Sequence, residues 1–220
     1  MVQSLDGPTF GPAAGGRPDA LVVLLHGLGA DGNDLIGLAP ALAGAVPRAL
    51  FVSPDAPEPC DMAPYGRQWF SLQDRRPATI EAGVRAAATV LDAFLDGLLA
   101  EHGLGGDRLA LVGFSQGTMM SLHVGLRRKS GPAAIVGYSG SLVAGNKLPA
   151  EITARPPVLL VHGDADPVLP SSALDFAEAG LKAAGVPVDA HLRPGLPHSI
   201  DEEGVRLGSE LLARTLGRSA

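Results

Sequence analysis

The residues Gly113-Phe114-Ser115-Gln116-Gly117 form a G-x-S-x-G string. It follows the apolar run Leu-Ala-Leu-Val at 109–112 and opens a segment of helical period. A serine hydroxyl is a weak nucleophile until a base takes its proton. A sharp strand-to-helix turn lifts such a hydroxyl above a sheet, and glycines on either side let the two backbones come close. Ser115 then stands at the positive end of the following helix. The plainer reading is a Gly-rich turn in which Ser115 only caps a helix. The strand before it and the helix after it favour a nucleophile elbow.

A base and an acid must accompany that serine, and in the hydrolase order both follow it. His123 lies two turns into the following helix and faces away from the elbow. His191 is in strand phase among Val188, Ala190 and Leu192, and His162 ends a strand just before Gly163. His198 sits in Arg-Pro-Gly-Leu-Pro-His-Ser-Ile at 193–200, a loop after a strand, where a ring can be held over the sheet edge. It is the candidate base. For the acid, His-Gly-Asp-Ala-Asp-Pro-Val-Leu-Pro at 162–170 offers Asp164 and Asp166. Pro167 keeps Asp166 extended, so its carboxylate can aim back across the strand tips. Asp164 is read as capping the turn.

A tetrahedral oxyanion needs preset donors. The N–H of Gln116, the residue after the nucleophile, is one. The second is expected from His-Gly-Leu-Gly-Ala-Asp-Gly at 26–32, whose glycines let N–H groups turn inward. That loop lacks the Lys-Ser/Thr of a P-loop and the spacing of a dinucleotide fingerprint. His26 is read as a buried, hydrogen-bonded histidine.

The elements that must hold these residues alternate. Short apolar runs at 21–25, 49–52, 109–114, 133–138 and 158–161 read as strands covered on both faces. A more polar run at 186–192 reads as a strand near an edge. Residues 78–102, 116–128, 172–184 and 202–216 read as helices. In the first of them Ile80, Val84, Ala87, Leu91, Phe94 and Leu98 form one stripe and Gly103 a stop. Residues 34–46 are helix-like, with a break or a new start expected near Pro40. The pattern predicts an α/β fold: an open, mostly parallel sheet with helices on both faces, and sites at the carboxyl ends of strands. Residues 54–77 show no regular element. Met62, Tyr65, Trp69 and Phe70 in that loop are expected to wall a substrate pocket; the plainer reading is a loop packed on the sheet edge.

The chain has 220 residues, 46% hydrophobic and 18% charged, which suits one domain spanning 1–220. Its 29 Gly and 19 Pro punctuate the apolar runs without a repeat. A net charge of −6 argues against nucleic acid and anionic membranes as partners. The basic run Arg127-Arg128-Lys129 is read as a helix end. The single cysteine, Cys60, excludes an internal disulfide and a Cys-based zinc site. The segment Met1–Pro8 shows no basic and apolar leader pattern, and no apolar stretch nears the ~18–20 residues of a membrane span. A cytoplasmic location without stable membrane insertion is the expectation.

The whole set of motifs resembles the carboxylesterase/phospholipase family of α/β-hydrolases, which includes acyl-protein thioesterases. The shared segments are LHGLGADGND at 25–34, FVSPDAPE at 51–58, RQWFS at 67–71, GFSQG at 113–117, HGDADPVLP at 162–170 and PGLPHSI at 194–200. The resemblance implies an α/β-hydrolase fold with Ser115, Asp166 and His198 as triad; a chain of 220 residues that builds a full sheet has little left for a large lid domain. It implies the N–H groups of Leu28 and Gln116 as oxyanion hole. It further implies cofactor-free hydrolysis of esters, and often a homodimer; no metal is expected, and a small-molecule ester is the expected partner. Short- to medium-chain carboxylic esters are the expected substrates. A lysophospholipid or an acylated-protein thioester would use the same machinery, and a non-catalytic binding protein would keep the fold alone.

Overall fold

The computed structural model describes residues 5–217. The start of the Met1–Pro8 segment, read above as free of a leader pattern, lies outside the described residues. The chain forms strands β1 (Thr9–Phe10), β2 (Ala20–Leu25), β3 (Ala49–Val52), β4 (Glu58–Pro59), β5 (Arg67–Gln68), β6 (Leu109–Phe114), β7 (Ala134–Tyr138), β8 (Val158–Gly163) and β9 (Val188–Arg193). Its helices are α1 (Gly32–Leu35), α2 (Ala39–Ala43), α3 (Pro77–His102), α4 (Gln116–Gly125), α5 (Leu148–Glu151), α6 (Ser172–Ala183) and α7 (Glu202–Leu216). Seven strands make one sheet in the order β1-β3-β2-β6-β7-β8-β9. All neighbours are parallel except β1, which runs antiparallel to β3 at one edge.

The double-sided burial of the strands explains their unbroken apolar sequences. Val22 and Leu24 of β2 and Ala110 and Val112 of β6 pack with Leu35, Leu42, Leu211, Leu212 and Leu216 from α1, α2 and α7. The alternate residues Leu21, Val23, Leu25, Leu109 and Leu111 pack on the other face with Val84, Leu91, Leu95 and Leu99 of α3 and Met120 of α4. Further along the sheet, Ile135, Val158 and Leu160 meet Leu122 of α4 and Leu174 and Leu181 of α6. Strand β9 pairs only with β8, the edge place its polar sequence suggests.

Three boundaries differ from the sequence pattern for local reasons. The buried line of α3 runs Val84, Ala87, Leu91, Leu95 and Leu99, while Phe94 and Leu98 are only partly buried. From Ala87 on, the buried residues are four apart, more than the 3.6 residues of a turn, so the contact line drifts around the helix away from the predicted stripe. Gly103 ends it at φ 66°, left-handed as a C-terminal stop requires. Helix α4 stops at Gly125 rather than 128, and the next carbonyl, Leu126, accepts N–H groups from Thr153 and Ala154. Arg128 there is buried and its guanidinium pairs with Asp92 and Asp96 of α3, while Arg127 pairs with Glu151, so the basic run is structural. In the loop 54–77, β4 and β5 form a small antiparallel ribbon. Two-residue strands carry no periodicity, so the sequence pattern is silent about them. Pro40 falls in the first turn of α2, after a 3-10 turn at Ile36–Leu38 that breaks the helical segment.

Leu91 has no exposed surface and lies at the centre of the α3–sheet contact. Leu91→Ala should lower unfolding free energy by about 2–5 kcal/mol in denaturant titration. A loss under about 0.5 kcal/mol would mean that α3 does not pack as described.

Candidate active site

Ser115 stands at the carboxyl end of β6 with φ 53° and ψ −114°, a backbone state that costs a non-glycine residue about 1–3 kcal/mol. The surroundings over-determine it. Its N–H donates to Tyr138 O at 2.9 Å, tying it to the tip of β7. Thr118 Oγ1 donates toward Gly113 O and Tyr138 O, each at 2.8 Å. A Cβ on Gly117 would lie 1.8 Å from Leu25 O, and one on Gly113 would lie 2.4 Å from Gly117 C. Only glycine fits at either place, so the elbow expected from the sequence is present.

His198 and Asp166 meet over the tips of β8 and β9. Asp166 Oδ2 accepts from His198 Nδ1 at 2.7 Å, and Oδ1 accepts from the N–H groups of Val168 and Leu169 at 2.8 and 2.9 Å. A carboxylate can only accept, so Nδ1 carries the proton and Nε2 of the neutral ring is left free as a base. The Asp166 side chain has no exposed surface. Burial alone would push its carboxyl up, but the hydrogen bonds from His198, Leu169 and Val168 outweigh it and hold the group below the usual carboxylate range. The His198 ring also packs on Phe114, with centroids 4.8 Å apart. Among the described residues no hydrogen bond links Ser115 Oγ to His198; the ring lies against the residue that precedes the serine.

Asp164 has a different task. Its Oδ1 accepts from Gly195 N–H at 2.6 Å, while Asp164 N–H and Ala165 N–H donate to Arg193 O and Leu196 O. It staples the acid loop to the histidine loop, across chain, instead of capping its own turn. Gly163 is pressed so closely there that a Cβ would lie 1.9 Å from Leu196 O. The Arg193–Asp201 ion pair at 2.9 Å closes the far end of the histidine loop.

The loop 26–32 passes beside the nucleophile: a Cβ on Gly27 would lie 3.4 Å from Ser115 Cβ. Among the described residues neither Leu28 N–H nor Gln116 N–H has a hydrogen-bond acceptor, which leaves both available as donors. His26 is fully buried, with Nε2 accepting from Ala56 N–H at 3.0 Å and Nδ1 donating to Gly27 O at 2.7 Å. Burial lowers its pKa, which suits the neutral ring that this pair of bonds requires.

The four loop residues do not share one environment. Met62 and Tyr65 are exposed, whereas Trp69 and Phe70 keep only 2% and 3% of their surface. Trp69 and Phe70 pack in the core with α3, so they support the site from beneath rather than wall a pocket. Trp69 Nε1 donates to His26 O at 3.0 Å, its N–H donates to Gln116 Oε1 at 2.8 Å, and Gln116 Nε2 donates to Phe70 O at 2.7 Å. The sequence marks Gln116 only as a backbone donor; its buried side chain carries no signal beyond being polar inside an apolar setting. Two further residues were missed. His162, dismissed as a base, is buried behind Asp166, with Nε2 3.0 Å from Leu169 O and 3.4 Å from Asp166 Oδ2. Ser139 is held at φ 46° and its Oγ donates to Ser199 O at 3.4 Å, next to His198. Among the described residues no group of three or more His, Cys, Asp or Glu could hold a metal ion, and no helix is long and apolar enough to cross a membrane.

A family model described as phospholipase/carboxylesterase matches residues 13–216. Esterase YpfH of Escherichia coli (strain K12) is 29% identical over 224 residues, covering 98% of this chain and 88% of that protein. Acyl-protein thioesterase 1 of Schizosaccharomyces pombe is 31% identical over 195 residues, covering 84% of this chain and 85% of that one. The crystal structure of esterase PE8 superposes with a TM-score of 0.92 at 42% identity, covering 97% of this chain and all of the other.

The two aspartates separate by function in a direct test. Asp166→Asn should lower kcat by roughly 10⁴ through the wrong imidazole tautomer, and Asp164→Asn by far less. The reverse ranking would reassign the acid. Because the Asp166 carboxyl is held below its ordinary value of 3.8, it adds stability that is present above that value and lost as pH falls through the lowered one. Acid unfolding followed by circular dichroism should therefore be shallower in that window for Asp166→Asn than for the wild type.

Proposed function

The chain belongs to the phospholipase/carboxylesterase family of α/β-hydrolases, and on that premise we propose a double-displacement mechanism for it as a carboxylic ester hydrolase. Ser115 Oγ attacks the ester carbonyl carbon while His198 Nε2 takes its proton. The resulting oxyanion is received by the N–H groups of Leu28 and Gln116. The intermediate collapses, the imidazolium returns its proton to the departing alkoxide, and an acyl-enzyme on Ser115 remains. Water then attacks the acyl carbon, giving its proton to Nε2; collapse restores the serine and releases the acid. Asp166 stays ionised throughout, fixing the tautomer and stabilising the imidazolium. The observation that carries this reading is the strained Ser115 turn beside a His198 ring whose Nδ1 is committed to a buried carboxylate.

The substrate side of the proposal is a short- to medium-chain ester. Among the described residues the long excursion beside the site is 54–77, and its aromatic pair is spent on the core. Met62 and Tyr65 leave an open apolar surface there. Each buried CH₂ gains at most about 0.8 kcal/mol, and only while the surface lasts, so the optimum falls at roughly four to eight acyl carbons. A thioester reading is supported by the names of several relatives, that of Schizosaccharomyces pombe among them, and the same acyl transfer would serve it.

Ser115→Ala should lower kcat by on the order of 10⁴–10⁶ and abolish labelling by a fluorophosphonate, with the fold unchanged. Near-normal turnover in that variant would sink the assignment. In the wild type kcat/KM should fall on acidification through one protonation, since imidazolium cannot accept a proton; a profile flat from about pH 5 to 8 excludes an imidazole base. Across aryl esters, rates should peak at short to medium acyl chains with no jump at a detergent interface. A maximum at palmitate with such a jump would overturn the substrate reading. An acylated peptide thioester, assayed beside them, decides between ester and thioester preference by kcat/KM.

A further inference from the structure

The two N–H groups assigned to the oxyanion belong to separate segments. Beyond the end of the β2–β6 ladder, no hydrogen bond among the described residues joins the 26–32 loop directly to the elbow. Residues 67–70 join them instead. On one side Arg67 N–H donates to Ala30 O at 2.8 Å, Gly29 N–H donates to Arg67 O at 2.9 Å, and Trp69 Nε1 donates to His26 O at 3.0 Å. The approach is close enough that a Cβ on Gly66 would lie 2.0 Å from Gly29 O. On the other side stands the side chain of Gln116. Its Oε1 accepts from Trp69 N–H at 2.8 Å and its Nε2 donates to Phe70 O at 2.7 Å, with no exposed surface. An amide placed between an N–H and a C=O has one satisfied orientation; flipped, it would set donor against donor and acceptor against acceptor.

We propose that the buried side-chain amide of Gln116 is a positioning group, which clamps residues 67–70 as a strut that sets the distance between the Leu28 and Gln116 N–H groups. The proposal rests on the oxyanion role given to those two donors above. A bond network running from the Gln116 side chain through Trp69 and His26 returns to the loop that carries Leu28. One residue thus supplies a donor through its backbone and, through its side chain, fixes where the other donor stands. The geometry has kinetic weight because oxyanion donors act only at about 2.7–3.1 Å from the developing charge. A misplacement near 1 Å can cost about 10²-fold.

The test uses Gln116→Met, which keeps the volume and loses both bonds, and Gln116→Glu, which sets an oxygen against Phe70 O. For each, kcat and KM on an aryl ester are measured together with Ki for a boronic acid that forms a tetrahedral adduct on serine. The expected result is a fall in kcat of roughly 10–100-fold with KM within about threefold, and a rise in Ki by the factor lost in kcat/KM. Lowered thermal stability with kcat and Ki within about twofold of the wild type would show a purely structural clamp and overturn the proposal. Should neither variant fold, Trp69→Phe carries the same test, since it removes the indole donor to His26 O while keeping an aromatic ring in the core. There a parallel shift of kcat and Ki supports the strut, and unchanged values overturn it. Failure of the underlying site reading is seen separately, as a wild-type enzyme that neither binds the boronate nor is labelled at Ser115.

Discussion

A serine held at φ 53° and ψ −114° persists only where its neighbours leave it no alternative. Here the constraint is the contact between the start of α4 and the end of β2, where Gly117 lies so near Leu25 O that any Cβ would overlap it. That contact fixes the helix directly behind the strand tips. It turns the chain at Ser115 and brings the Gly27 backbone alongside the serine Cβ. The β2–β6 register, with Leu25 opposite Gly113, sets the height at which this happens. The apolar strands beneath are therefore more than a core: their parallel register decides where the hydroxyl emerges.

Asp166 and His198 depend on a second pair of neighbours. Strands β8 and β9 are parallel and in register from Val158 opposite Val188 to Gly163 opposite Arg193, so their following loops leave the sheet side by side. The Asp164–Gly195 bond and the close approach of Gly163 to Leu196 lock the two loops together. Within that frame the buried Asp166 carboxylate has no water to accept from, so it is satisfied by two backbone N–H groups and one imidazole. The imidazole orientation follows from the carboxylate's needs as much as from the histidine's own loop.

The loop 54–77 joins the two halves of the machinery. Its apolar and aromatic residues suggested a substrate wall, yet Trp69 and Phe70 are worth more to the fold when buried, and their backbone groups and the indole N–H then need partners. Gln116 and His26 provide them. The loop is ordered by Gln116, which follows the serine, and by His26, which opens the glycine-rich loop, so its conformation is tied to both sides of the elbow.

Local chemistry made much of this protein legible from its sequence. Strands apolar on both phases announced a covered parallel sheet, because alternate side chains must face opposite layers. The glycines at 113 and 117 marked a close approach. What the sequence could not express was which polar side chains answer one another across long separations. Gln116 with residues 69 and 70, His162 behind Asp166, and Asp164 with Gly195 are pairings set by the order of strands in the sheet. The burial of Trp69 belongs with them, since an aromatic residue in an irregular loop reads the same whether it faces substrate or core. Periodicity and turn chemistry act over a few residues, and so they are written in the sequence; a hydrogen bond between distant segments exists only once the tertiary structure has brought its donor and acceptor together and shut out the water that would otherwise serve both.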